Sequence, residues 1–261
     1  MVSHLREILR YRDFLYFLIV LDIKRKYRQT MAGVVWVLFQ PIMLTLVLVF
    51  LFSRWYGQMG GGTEIPYALF TYTALVPWTY FSRALQGGVP RIVVLGALVK
   101  KINFPRAAIP TASVFTAAFD MGLAMLGLFA LKWYFGVAWT RAIFAFPAVF
   151  AIQTLFLLGL TLLMAGANVY YRDVQYALPF FLQILLLATP IIYPASQIPA
   201  VFRPIYFINP QAGITELYRW MFLGMPFAAK PVAFSAVAGV GIFAVGAFFF
   251  GRWEKRFADV I

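Results

Sequence analysis

Residues 142–168 read AIFAFPAVFAIQTLFLLGLTLLMAGAN, and no Asp, Glu, Lys or Arg occurs between Arg141 and Arg172. A helix crosses the hydrocarbon core of a bilayer with about 20 mainly apolar residues, so this stretch is long enough to span it. Working outward, five more segments of the same kind lie near 32–53, 66–86, 107–131, 176–193 and 231–251, and only Arg83 and Asp120 place charge inside any of them. The predicted fold is an all-α integral membrane protein with six transmembrane helices. Composition agrees: 63% of the 261 residues are hydrophobic, only 12% are charged, and the mean hydropathy is +0.82, far above an ordinary soluble domain.

Orientation follows from the short connections. With the N-terminus inside, fifteen Lys and Arg lie on the inner side, from residues 1–31, 90–106, Arg172 and 252–261. Six lie outside: Arg54, Lys132, Arg141, Arg203, Arg219 and Lys230. The positive-inside rule then predicts a multi-pass protein with both termini in the cytoplasm. The net charge of +13 is assigned to anionic lipid headgroups, because no soluble domain is left over to carry a nucleic-acid surface.

The first thirty-one residues do not read as a span. Phe14–Leu21 is a short apolar run followed by Lys24-Arg25-Lys26-Tyr27-Arg28, with no small-residue cleavage site, so it reads as retained. Leu5, Ile8 and Leu9 recur at helical spacing while Arg6, Arg10 and Asp13 take other faces, which predicts an N-terminal amphipathic interface helix over 1–31. It serves either as a lipid anchor or as a brace for a cytoplasmic partner. Between the fifth and sixth spans, residues 194–230 are largely apolar but interrupted by Pro194, Pro199, Pro204, Pro210 and Pro226. No straight helix survives that spacing, so this is a broken external helical segment and the candidate external gate. With no repeat, low-complexity tract or Gly/Ser linker, residues 1–261 read as one membrane domain.

The polar inventory argues against an enzyme. There is no cysteine, the one histidine is His4, and the nine carboxylates do not gather into an acid–base pair, so neither a His/Cys metal site nor catalysis by this chain is expected. Gly57 and Gly60-Gly61-Gly62 lack the Lys-Ser or Lys-Thr of a phosphate loop and read as an outer turn. If ATP drives this protein, another chain binds it.

Several strings taken together resemble the permease subunit of the polysaccharide-export branch of ABC-2 type transporters, the Wzm/TagG-like family of O-antigen, capsule and teichoic acid exporters. They are Asp22–Thr30 running through Gly33 and Trp36 to Gln40-Pro41, then Leu75–Phe81, Leu98–Arg106, Asn168–Val174, Thr189–Pro194 and Asn209-Pro210. They cover nearly the whole chain in the right order. The resemblance implies a homodimer in the bacterial inner membrane, two copies of an ATP-binding subunit that hold ATP and Mg, an undecaprenyl-linked glycan as cargo, and no cofactor in this chain.

On that reading the loop 91–106 is the ATPase coupling element, with Leu98, Lys100, Lys101, Asn103, Phe104 and Arg106 as its candidates. Arg172 and Asp173 are a second ATPase contact. The bland alternatives are a positive-inside anchor for the lysines and helix capping for Arg172 and Asp173. Aromatic residues form 19% of the chain and either belong to interfacial belts and core or stack on sugar rings; Trp36, Phe39, Tyr72, Trp78, Tyr80, Phe81, Tyr176 and Tyr193 are the substrate-channel candidates. Arg83 is a candidate contact for the carrier's pyrophosphate. Asp120 requires protein or water around it, as a structural pair or as a proton relay. Pro194, Pro210, Glu216 and Arg219 are the gate candidates, Glu216 and Arg219 pairing at i and i+3 as a gate support or as an ordinary surface pair. Two other functions stay open: an integral membrane enzyme of glycolipid assembly, and an ABC-2 exporter of a drug or another lipid.

Overall fold

The computed structural model describes residues 11–28, 35–56, 65–101, 104–227 and 229–260, and among them every regular element is helical. The longer helices are α1 (Arg12–Arg28), α2 (Val35–Tyr56) and α3 (Tyr67–Gly88), followed by two short ones, α4 (Arg91–Val94) and α5 (Gly96–Lys101). Next come α6 (Ala108–Tyr134), α7 (Phe146–Tyr170) and α8 (Asp173–Leu187), then short α9 (Arg203–Tyr206), α10 (Pro210–Leu223), α11 (Ala229–Trp253) and α12 (Phe257–Val260). His4, Leu5, Ile8, Leu9, Gly57, Gly60–Gly62 and Asn103 lie outside the described residues.

Among the described residues four stretches are long and apolar enough to cross a membrane: Val35–Arg54, Ala108–Tyr134, Arg141–Tyr170 and Val232–Arg256. They coincide with four of the six expected spans. The other two are helical but differ for opposite reasons. α3 contains Thr71, Thr73, Thr79, Tyr72 and Tyr80, all buried, because its surroundings are protein on nearly every side. α8 is apolar but has 15 residues, about 22 Å of helix, and ends at Leu187 rather than at 193. Pro190 has no N–H with which to continue the helix, and Thr189 turns its hydroxyl onto the Leu185 carbonyl at 2.7 Å.

α3 is the centre of the bundle. Phe81 stacks on Phe156 of α7 and Tyr80 on Phe150, with centroids 5.7 and 5.8 Å apart. Several polar groups of this helix find partners on its neighbours: Tyr72 donates to the Ala124 carbonyl of α6 at 3.0 Å, and the Pro77 carbonyl accepts from Gln153 of α7 at 2.8 Å. The tightest approach joins α7 and α11. A methyl group added at Gly246 would lie 2.0 Å from the Gly159 carbonyl oxygen, and one at Gly159 would lie 2.3 Å from the Phe243 Cα. Lipid gives helices little hydrophobic reason to associate, so backbones brought together by small residues supply the packing.

The proline-rich stretch breaks as expected, into α9, α10 and short turns. Asn209 accepts a hydrogen bond from the Gln211 amide at 3.0 Å and caps α10, Pro210 fills its first turn, and Gly224 ends it in the left-handed region at φ 69°. α10 is sunk among α3, α7 and α11. Buried Lys132 of α6 holds its far end by donating to the Phe222 carbonyl and, at 3.0 Å, to the Ala138 carbonyl. Glu216 and Arg219 pair at 2.9 Å, but the surface-pair alternative is corrected here: Arg219 is 1% exposed. Its guanidinium covers the Phe70 ring at 3.6 Å and donates to the Ile191 carbonyl at 3.0 Å. An arginine can be buried this way because its fork is paired and its flat face stacked.

Candidate functional site

Helical spacing places Asp22, Lys26 and Tyr27 of α1 toward α6, where Leu18, Phe14, Leu15 and Ile19 already pack on Ala108 and Ala112. Asp120 sits mid-way along α6 and is 2% exposed. Its carboxylate accepts from Lys26 Nζ and Tyr27 Oη, and Arg83 Nη1 of α3 approaches to 3.4 Å. The other terminal nitrogen of Arg83 donates to Gln40 Oε1 of α2 at 2.9 Å. Two helices, α1 and α3, therefore converge on the α6 carboxylate with two cations facing it, and α2 joins them through Gln40 on Arg83. Burial first, and then the hydrogen bond to Asp120, push the Tyr27 hydroxyl above its ordinary range, so it keeps its proton for Asp120.

A second ion pair joins α1 to α4. Asp22 accepts from Arg91, whose Nη1 donates to Ser113 Oγ at 2.8 Å. Phe14 of α1 also meets Phe104 with ring centroids 4.7 Å apart. Beneath α4 and α5, Ile92, Val99 and Phe104 share a core with Leu162 and Val169 of α7, Phe250 of α11 and Phe257 of α12. Arg106 donates to the Glu254 carbonyl. Residues 91–101 and 104–106 are thus packed on α1, α7 and α11, with Leu98 half-buried and Lys100 and Lys101 exposed.

A cavity of about 650 Å³ opens between α1, α2 and α3, and Lys26, Tyr27, Trp36, Phe39, Gln40 and Arg83 are among its lining residues. It brings together three of the candidates named from sequence: Trp36, Phe39 and Arg83. Tyr72, Trp78, Tyr80 and Phe81 are instead buried in the core around α3. Tyr176 is exposed on α8, while half-buried Tyr193 donates to the Leu187 carbonyl at 2.9 Å and accepts from Tyr206. Pro194 and Pro210 are buried. Arg172 and Asp173 are exposed at the α7–α8 turn, and Asn168 performs the capping there: its Oδ1 accepts from the Gln175 amide at 3.0 Å and its Nδ2 donates to the Val89 carbonyl at 3.3 Å.

Sequence reasoning found Asp120 and Arg83 but not that they meet, and assigned no role to Asp22, Lys26, Tyr27, Gln40, Arg91 or Asn168. One signal was available. A carboxylate inside a span requires a cation, and the densest run of cations in the chain is 24–28.

The profile of the ABC-2 type transporter family matches residues 14–223, from Phe14 of α1 to the end of α10. The chain belongs to the ABC-2 type transporter family. As an ABC-2 protein it is a multi-pass membrane subunit of a transporter, and membership implies an ATP-binding partner. It is 31% identical, over 100% of both chains, to the O-antigen export system permease protein RfbA of Myxococcus xanthus. It is 24% identical, over 92% of both chains, to a protein of the same name in Klebsiella pneumoniae. Within the ABC-2 match lie both ion-pair clusters, the 91–106 segment and the buried α10.

Proposed function

We propose that this chain is the channel-forming permease of an ATP-driven exporter that moves an undecaprenyl-linked polysaccharide of the O-antigen kind across the bacterial inner membrane. The observation that carries this reading is the end-to-end likeness, at 31% identity, to a protein named as an O-antigen export permease. In this reading residues 1–261 form one membrane domain with both termini in the cytoplasm. Its six spans are α2, α3, α6, α7, α8 with the turn that follows it, and α11. α1 is the interface helix.

Two copies enclose the channel. Closed twofold pairing is the common oligomer choice, and a single bundle of this size is too small for a polymer-wide pore. Trp36, Phe39, Tyr176 and Tyr193 offer sugar-stacking faces, and Arg83 beside Lys26 offers charge to the carrier's pyrophosphate. Two ATP-binding subunits, holding ATP and Mg, grip α4–α5 through Lys100, Lys101 and Asn103, with Arg172 and Asp173 beside them. Their motion passes to α1 through Asp22–Arg91 and Phe14–Phe104. Pro194, Pro210, Glu216 and Arg219 hold the external gate.

The test is loss of this gene with the ATP-binding subunit intact. Lipid-linked glycan should accumulate on the inner leaflet; unchanged surface polysaccharide with no intermediate would reject the assignment.

A further inference from the structure

We propose that the cleft where α7 and α11 end holds the phosphate headgroup of an anionic membrane phospholipid. The cleft measures about 620 Å³, and Tyr170, Tyr171, Arg252, Trp253, Lys255 and Arg256 line it together with Ala167, a size within the usual range of small-molecule sites. Three of these seven residues are cationic. Among the described residues none of the three is in an ion pair with a carboxylate. Arg252 instead lies over the Phe248 ring, 4.9 Å from its centroid. The carbonyl ends of α7 and α11 offset part of this charge, but three neighbouring cations around a concave surface leave room for an anion among them.

What selects a phospholipid over a soluble anion is the wall leading out of the cleft. Phe248 and Phe249, a turn before Arg252, are exposed on a helix apolar enough to cross a bilayer. Phe249 packs on Trp253 with centroids 5.5 Å apart, and Trp253 meets Tyr170 at 6.2 Å. The sequence of surfaces is therefore phenyl rings, then an indole and a tyrosine, then guanidinium and ammonium groups. That is the order in which acyl chain, glycerol level and phosphate succeed each other in a leaflet. A soluble phosphate would use only the last of these surfaces, and a docked protein would leave the outward phenyl rings without a role.

Occupancy would matter for the coupling segment. Trp253 packs against the core that contains Ile92, Val99, Phe104 and Phe257, and Arg106 bonds the Glu254 carbonyl. A headgroup held by Arg252, Lys255 and Arg256 stiffens the base on which α4 and α5 rest. Only the assignment to the inner leaflet rests on the function proposed above.

The test is lipid retention by the purified permease, measured by native mass spectrometry after delipidation and titration with defined lipid. Phosphatidylglycerol should bind and phosphatidylcholine should not. Each cation replaced, as in Arg252→Gln, Lys255→Gln or Arg256→Gln, should weaken retention about fivefold, and the triple variant by on the order of a hundredfold. Arg141→Gln with Lys230→Gln, exposed cations outside the cleft, should leave retention unchanged. If the triple variant does not fold, the single variants decide the matter by the same fivefold steps.

Equal binding of both lipids would overturn the proposal, as would triple-variant retention equal to the parent's. Displacement of lipid by millimolar inorganic phosphate alone would reduce the cleft to a free-anion site. Unchanged lipid retention with loss of the co-purifying ATP-binding subunit would make it a protein contact instead. Because lipid retention is read on purified protein, its failure is separable from failure of the export reading, which is decided by the fate of the glycan in cells.

Discussion

Replacing Asp120 with Asn removes the charge that Lys26, Tyr27 and Arg83 share while keeping the side chain's shape. Stripping one partner from a fully buried ion pair costs about 3–5 kcal/mol. Here the carboxylate is 2% exposed, but the Arg83 and Lys26 side chains are 20% and 42% exposed. Solvent screens the lysine, whose share falls to that of a surface pair, about 0.2–1 kcal/mol. Arg83 keeps Gln40 as a partner, so it is not orphaned either. The expected loss is about 2–3 kcal/mol, or a fall in Tm of about 4–12 °C for a chain of this size. Thermal unfolding of the permease in nanodiscs, followed by tryptophan fluorescence, measures it. Asp120→Leu combined with Arg83→Met should recover most of the deficit, because the one cation left without its partner, Lys26, is 42% exposed and can be met by solvent. The reasoning fails if Asp120→Asn melts with the parent, or if the double variant is as unstable as the two single losses added together. The same Asn variant separates two roles for the residue: export that persists in proportion to folded protein excludes an essential proton relay.

Three further expectations follow from the packing and the ion pairs. Asp22→Asn or Arg91→Gln should leave the partner's ATP hydrolysis within about twofold of the parent while glycan export falls several-fold, and exchanging the two charges should restore part of the export; the check is the ratio of export to hydrolysis in proteoliposomes. Gly246→Leu should block the contact with Gly159 backbone and cost more than about 3 kcal/mol, seen as loss of the folded peak in size-exclusion chromatography, while Gly241→Leu, whose added Cβ meets nothing within 4 Å, should be tolerated. Arg219→Lys keeps the charge but loses the fork and the stack on Phe70, and should destabilise by about 1–3 kcal/mol in the same unfolding assay.

Legibility varied with the range over which each feature is specified. Apolar length is a local property, so α2, α6, α7 and α11 could be read from residues 32–53, 107–131, 142–168 and 231–251 to within a few positions. Prolines act on their own helix, and the breaks in 194–230 were readable for that reason. α3 was legible as a helix but not as the buried centre, since its tyrosines and most of its threonines become tolerable only when neighbouring carbonyls and hydroxyls accept their hydrogen bonds. The early end of α8 was missed because Pro190 lies in an apolar run that composition alone carries through to 193. Among the candidate residues, Trp36, Phe39 and Arg83 meet in one cavity, whereas burial of Tyr72, Trp78, Tyr80 and Phe81 reflects neighbours far away in the chain.

By itself the sequence determined that this is a helical membrane protein with a basic side, a broken segment before its last helix and a resemblance to ABC-2 permeases, because solvent preference, charge bias and proline geometry each act within a few residues. Only the tertiary structure decided that Asp120 neutralises Lys26 from 94 residues away, that Arg219 is a core residue rather than a surface one, and that Arg252, Lys255 and Arg256 surround a cleft. A buried or clustered charge is defined by what other helices bring to it, and nothing in the local chain records which helix will arrive.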